Sequence, residues 1–241
     1  MTDRSLTRIA GVFSFASPAC AFASIPLAIS IGVGPAPIDF GDGDTLLRLA
    51  ALSPKPFWVA LLSVLGPTLA LPVGVGWYQV LRQHGSYVTT GVLLWYVGMV
   101  LIVVQDSIEV ALVDYLPSAY AAADAAARPS LLALGAFTGK SNALLALIGD
   151  LVSFFGLVLV NVALLQVRGR SRFVGVVGLM STAVIVTGLI GPFLSPQVGS
   201  LAFLRGPGFT LFMLWNMSMG VMLWRWKPAE TDARIAIAAI S

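Results

Sequence analysis

Six long apolar runs, separated by links rich in glycine, proline or arginine, set the pattern of this chain. About 20 residues of helix cross a bilayer core, and each run is near that length or longer. The pattern predicts spans at 9–33, 57–81, 88–113, 142–167, 173–193 and 208–224. The fold expected is therefore all-α, a polytopic six-transmembrane-helix bundle. Residues 1–241 form a single membrane domain without internal repeats, and 228–241 form a short cytoplasmic tail.

The links differ in kind. Residues 34–56 carry Asp39, Asp42 and Asp44 among glycines and prolines, which predicts a solvated acidic loop. A calcium loop would need a glutamate at a fixed downstream spacing, and that is missing. Residues 114–141 hold an alanine-rich run and an apolar stretch at 131–137, which predicts a helix lying on the outer surface. At the front of the chain, Arg4, Arg8 and the small residues around Cys20 resemble a cleavable signal peptide. The apolar run continues through Ile25, Leu27 and Ile29, so a retained first helix is expected.

Composition agrees. The chain is 58% hydrophobic and 10% charged, against about one quarter charged in a soluble domain. Mean hydropathy is +0.91. The net charge of +3 is spread over several links, which excludes a nucleic-acid patch. With six spans, nine of the 14 basic residues fall on one side, including Arg82, Arg168, Arg170 and Arg172 in short links. The positive-inside rule then makes both termini cytoplasmic, in the inner (cytoplasmic) membrane. Arg48, Lys55, Arg128, Lys140 and Arg205 fall outside. The single cysteine, Cys20, forms no internal disulfide and reads as a buried thiol.

Polar groups inside the spans carry the functional question. Gln105, Asp106 and Glu109 interrupt the third span, and charged groups in hydrocarbon usually face protein or water. At about 100° per residue, Gly91, Gly98, Gln105 and Glu109 share one stripe within about 40°, and Asp106 sits about 100° from Gln105. Small residues permit close helix approach and polar ones bond across it, so this stripe is expected to face protein. In the fourth span Asp150 and Asn161 lie about 20° apart around the helix and about 16 Å apart along it. Counted from the predicted outer ends, Asp106 lies about 10 Å deep and Asp150 about 12 Å deep, a similar depth on consecutive helices.

Two readings stay open at this point. Gln105, Asp106, Glu109, Asp150 and Asn161 line an outward polar site for a small solute or proton, with Arg205 as counter-charge; or they clamp helices, within the bundle or against other membrane subunits as in an accessory or scaffold protein. An enzyme is the third and weaker reading. His84 is the one histidine, on the opposite side from the carboxylates, and neither a metal cluster nor a serine triad can be assembled. Gly149-Asp150 is half of the element of intramembrane aspartyl proteases, but Leu147 and Gln105 replace defining residues. No cofactor and no metal is expected, and the lipid bilayer is the partner that the composition implies. In the second span, Gly66, Ala70 and Gly74 predict tight packing beside Pro67 and Pro72. Trp77, Tyr78, Trp224 and Trp226 are expected as interfacial anchors.

Short motifs add a resemblance. Arg8-Ile9-Ala10-Gly11, Tyr78-Gln79-Val80-Leu81, Gln105-Asp106, Phe155-Gly156-Leu157-Val158-Leu159, Arg172-Phe173-Val174-Gly175 and Phe212-Met213-Leu214-Trp215 follow one another along nearly the whole chain. In that order the chain resembles an uncharacterised family of six-helix bacterial integral membrane proteins, a domain of unknown function. Ser171 stands where that family has a proline. The resemblance implies six-helix topology, and it brings no catalytic residue or ligand.

Overall fold

A computed structural model describes residues 3–31, 38–167, 169–194 and 204–226, and all regular structure among them is helical. The helices are α1 (Asp3–Ser30), α2 (Gly43–Ala51), α3 (Lys55–Leu81), α4 (Ser86–Ala122), α5 (Arg128–Gln166), α6 (Arg170–Leu194) and α7 (Arg205–Arg225). Helices α1, α3, α4, α5 and α6 are long and apolar enough to cross a membrane. Their outward faces are apolar as well: Val12, Leu93, Val97, Phe155, Phe173 and Met180 are all exposed. Such a surface suits lipid rather than water.

The six longer helices close into a ring, each packing on its two neighbours in the order α1, α3, α4, α5, α6, α7 and back to α1. Arg4, Arg8, Arg82, Arg172 and Arg225 gather where α1, α4 and α6 begin and α3, α5 and α7 end. This is the basic end. Tight turns there reverse the chain at Gly85 (φ +129°) and Gly169 (φ +83°), values that only glycine adopts without strain. Arg8 lies over the Trp224 ring at 5.8 Å, a cation–π contact beside an exposed tryptophan.

The opposite end departs from the expected links. Helix α4 runs on to Ala122 rather than stopping near Val113, and α5 begins at Arg128 rather than Asn142. At 1.5 Å per residue they are about 55 Å and 58 Å long, far beyond a hydrocarbon core of about 30 Å. The predicted surface helix is thus the projecting ends of two spans, and the alanine-rich run continues α4 to Ala122 before the chain turns over residues 123–127 into α5. Across this hairpin lies α2, inside the segment expected to be a loop. Asp42 caps it, accepting from Thr45 N at 2.9 Å and from Thr45 Oγ1 at 2.6 Å. Leu46 and Leu49 then bury against Val113, Leu116 and Tyr120. Phe40 crosses so close that a Cβ on Gly135 would collide with its backbone.

The main core fills the basic half of the ring. Trp77, Trp95 and Trp215 are almost wholly buried there, with ring centroids 4.7 Å (Trp77–Trp95) and 5.4 Å (Trp77–Trp215) apart. Leu81, Val88, Val160, Leu164 and Leu223 complete the filling. Trp77 is therefore no interfacial anchor. It points inward, where Gly74 leaves room for the Trp95 ring beside it. Trp224, by contrast, is half exposed as an anchor should be.

Candidate functional site: a carboxylate-walled cavity inside the ring

The glycine stripe of α4 decides where the polar groups go. Gly98 meets the backbone of Gly149 and Ser153, and Gly91 meets Gly156 and Val160. Neither contact tolerates a Cβ, so α4 and α5 press backbone against backbone, as the stripe predicts. Gln105 continues that face and is buried, its Nε2 donating to Glu109 Oε2 at 3.1 Å.

Beside the seam, Trp95, Met99, Ile102 and Asp106 form the next stripe of α4, and Asp150, Phe154 and Leu157 form its counterpart on α5. Both stripes face a cavity of about 400 Å³ at the centre of the ring. Helix α1 adds Ser17, Ala21 and Ser24; α3 adds Ser63, Gly66, Pro67, Ala70 and Trp77; α7 adds Phe209, Phe212, Met213 and Asn216. The space extends from Asp106 toward the tryptophans, about 16 Å along α4. Asp106 and Asp150 are its charged lining residues, and the described lining contains no lysine, arginine or histidine.

Three of the serine hydroxyls on the wall are engaged locally. Ser24 donates to Ala21 O (2.8 Å), Ser63 to Val59 O (3.2 Å) and Ser153 to Asp150 O (2.9 Å). Such back-bonding satisfies a hydroxyl in a helix without a partner across the cavity. Deeper in, three lining residues at least nine-tenths buried carry a polar atom with no hydrogen-bond partner: Trp77 Nε1, Trp95 Nε1 and Asn216 Oδ1. Each unmet group costs about 1–3 kcal/mol.

The matched depth of the two aspartates does not hold. Gly98 sits opposite Gly149–Ser153 and Gly91 opposite Gly156–Val160. That antiparallel register sets Asp150 level with Met99, about 10 Å closer to the basic end than Asp106. Glu109 and Asp150 remain within electrostatic reach of Asp106. The acids therefore descend as steps, Glu109 outermost, then Asp106, then Asp150. Such an offset is not the contact geometry of a shared-proton dyad.

The other expected residues lie elsewhere. Asn161 is fully buried but belongs to the α5–α6 contact, its Nδ2 donating to Leu157 O at 2.9 Å and its side chain packed on Gly178. Glu109 sits one turn outside the cavity lining. Arg205 opens α7, and its side chain lies outside the described residues. Among the acids of the α2 segment, Asp39 accepts from Gly41 N (2.9 Å) and Asp42 caps α2, so both serve local turns.

Three lining residues went unread in the sequence. Trp95 and Met99 lie eleven and seven residues before Asp106, which places them on one helix face. Asn216 is an amide in the middle of an apolar run, the same signal that marks Gln105. Comparison with protein-family models, curated proteins and solved structures finds no match.

Proposed function

We propose that this chain is a six-span integral membrane protein of the cytoplasmic membrane, with α7 as the sixth crossing and both termini in the cytoplasm. In this reading it binds or passes a small solute or proton through the cavity, entering from the end that carries α2. The observation carrying the proposal is the central cavity with Asp106 and Asp150 on its wall. Carboxylates placed in hydrocarbon are rare, and when they line a water-sized space they commonly mark a path for ions or solutes. The excess of arginine at the basic end supports the orientation.

A cysteine-accessibility experiment tests it. Ser17 is buried at mid-span on α1 and lines the cavity, whereas Phe155 is 60% exposed on the outer surface of the ring. In a Cys20→Ser background, an impermeant thiol reagent added outside right-side-out vesicles should label Ser17→Cys and leave Phe155→Cys untouched. Labelling of Ser17→Cys only from the inside, or from neither side, overturns the outward opening.

A second reading, an accessory subunit, draws on one observation. Tyr115, Leu134 and Phe137 are 65%, 51% and 73% exposed on the projecting part of the α4–α5 hairpin. That apolar face beyond the α4–α5 glycine seam suits contact with another membrane subunit. Co-purification of a stoichiometric partner lost on Phe137→Glu would favour it.

A further inference from the structure

We infer that the α1–α7 seam at the basic end binds an anionic phospholipid, its phosphate at Arg4 and Arg8 and an acyl chain along the exposed face of α1. The inference needs the ring to stand in a bilayer and does not depend on what the cavity takes.

The seam fixes the groups that hold the head. A Cβ on Gly11 would lie 3.0 Å from Gly220 O and 3.2 Å from Trp224 N, and one on Gly220 would lie 2.8 Å from Ser14 Cβ. Backbones this close set Trp224 level with Gly11, about one turn from Arg8. The Arg8 guanidinium then lies over the Trp224 ring, 5.8 Å from its centroid. A guanidinium held on an aromatic face keeps its N–H edge free, and that edge matches phosphate oxygens two at a time. Arg4 comes one turn before Arg8 on the same face, within about 6 Å at Cβ. Arg4, Arg8 and Arg225, the residue after Trp224, are all exposed.

Charge around the seam is one-sided. The acidic side chains that the structure describes lie on the cavity wall or toward α2. Asp3 is the acid nearest in sequence, and its side chain lies outside the described residues. A zwitterionic head would bring its own ammonium toward the arginines, whereas a net-negative head brings phosphate without it. Each basic side chain near the surface favours an anionic lipid by about fivefold.

The face above the arginines fits a chain. At about 100° per residue, Arg4, Val12, Phe15, Ala19 and Phe22 all fall within about 40° of Arg8 around α1. Each of them is exposed. From Val12 to Phe22 the stripe rises about 15 Å, half of a hydrocarbon core of about 30 Å and so the depth of one leaflet. Val221 and Trp224 are exposed on the α7 side of the same seam. Inorganic phosphate would leave this apolar track unused, and a lipid without net charge would leave the arginines unused. An anionic phospholipid uses both.

The test is native mass spectrometry of the full chain released from detergent, with dioleoyl phosphatidylglycerol and dioleoyl phosphatidylcholine offered in equal amounts. The parent should retain phosphatidylglycerol about tenfold or more in preference to phosphatidylcholine. Arg4→Gln combined with Arg8→Gln should bring that preference below about twofold. Arg172→Gln, which removes an exposed arginine at the same end from α6, should leave it unchanged. Each single variant, Arg4→Gln or Arg8→Gln, should lose part of the preference while eluting and melting like the parent, which separates lost binding from misfolding. Excess inorganic phosphate should not displace the lipid. Equal retention of both lipids by the parent, a preference that survives the double variant or falls as far in Arg172→Gln, or displacement by inorganic phosphate overturns the inference. Labelling of Ser17→Cys bears on the cavity alone, so the two readings fail separately.

Discussion

The two halves of the ring use the same six helices to opposite ends. In the basic half the interior is closed by Trp77, Trp95, Trp215, Leu81 and Leu223, all almost wholly buried. Toward α2, five of them (α1, α3, α4, α5 and α7) line a cavity bearing Asp106 and Asp150. The difference is side-chain volume against backbone spacing. Glycines at Gly91, Gly98 and Gly156 bring the α4 and α5 backbones together, Gly74 leaves room for the Trp95 ring, and the large aromatic rings fill the middle of the basic half. Past Met99 the inward positions carry smaller or polar groups, including Ser17, Ser63 and Ala70, and the centre is left open. Stability is thus concentrated in one half and chemistry in the other.

The comparison breaks most completely at the seam that both halves share. A Cβ on Gly98 would lie 2.6 Å from Gly149 O, with Ser153 N closer still. Gly98→Val should force α4 and α5 apart and cost about 3 kcal/mol or more, beyond ordinary overpacking because backbone rather than a flexible side chain must yield. Loss of monodisperse protein, or a large fall in melting temperature in detergent, is the expected result. A variant that melts like the parent would mean the seam is looser than these contacts require.

Next comes the closed half itself. Trp215 is 1% exposed and contacts both Trp77 and Phe212. Trp215→Ala removes that packing and should destabilise the protein by about 3–5 kcal/mol, the usual range for emptying an aromatic site. Its unpaired Nε1 makes Trp215→Phe the sharper variant, because deleting an unmet donor offsets part of the lost packing. Chemical denaturation of the two variants side by side measures that difference.

The open half should respond in the reverse way. Asp106→Asn and Asp150→Asn exchange a carboxyl for a near-isosteric amide on a poorly solvated wall, so stability should change by less than about 1 kcal/mol. Equal destabilisation by aspartate and tryptophan variants would erase the distinction between the halves and favour an interhelical clamp.

How much of this the sequence carries depends on the range of the interaction. The stripe Gly91–Gly98–Gln105–Glu109 is legible because a single helix fixes its angles, and its two glycines do face α5. The relative depth of Asp106 and Asp150 is not legible, because it depends on how far α4 and α5 run before they turn. Their helices continue to Ala122 and from Arg128, and the register moves with them. Trp77 looked like an anchor because a tryptophan near a helix end is amphipathic in either setting; only Gly74 and the facing Trp95 decide which way it points. The cap helix was hidden by its glycines and aspartates, which read as loop until Leu46 and Leu49 find the α4–α5 hairpin.

That cap supplies the smallest effect and a control for the others, since α2 lies outside the cavity yet packs on helices that form it. Two hydrogen bonds from Thr45, first the hydroxyl and then the backbone N–H, hold the Asp42 carboxyl below its ordinary value of 3.8. A depressed acid stabilises the fold at pH values above 3.8, and this contribution is lost as pH falls through the lower folded value. Amide exchange over residues 43–51, corrected for intrinsic rates, should therefore lose protection only at strongly acid pH, and Asp42→Ala should show the loss already at neutral pH. Both changes should be confined to α2, because Leu46 and Leu49 dock on the hairpin rather than on the cavity wall. Lost external labelling of Ser17→Cys in an Asp42→Ala background would show instead that the cap holds the open half in shape, and the two halves would then differ in what props them as well as in what fills them.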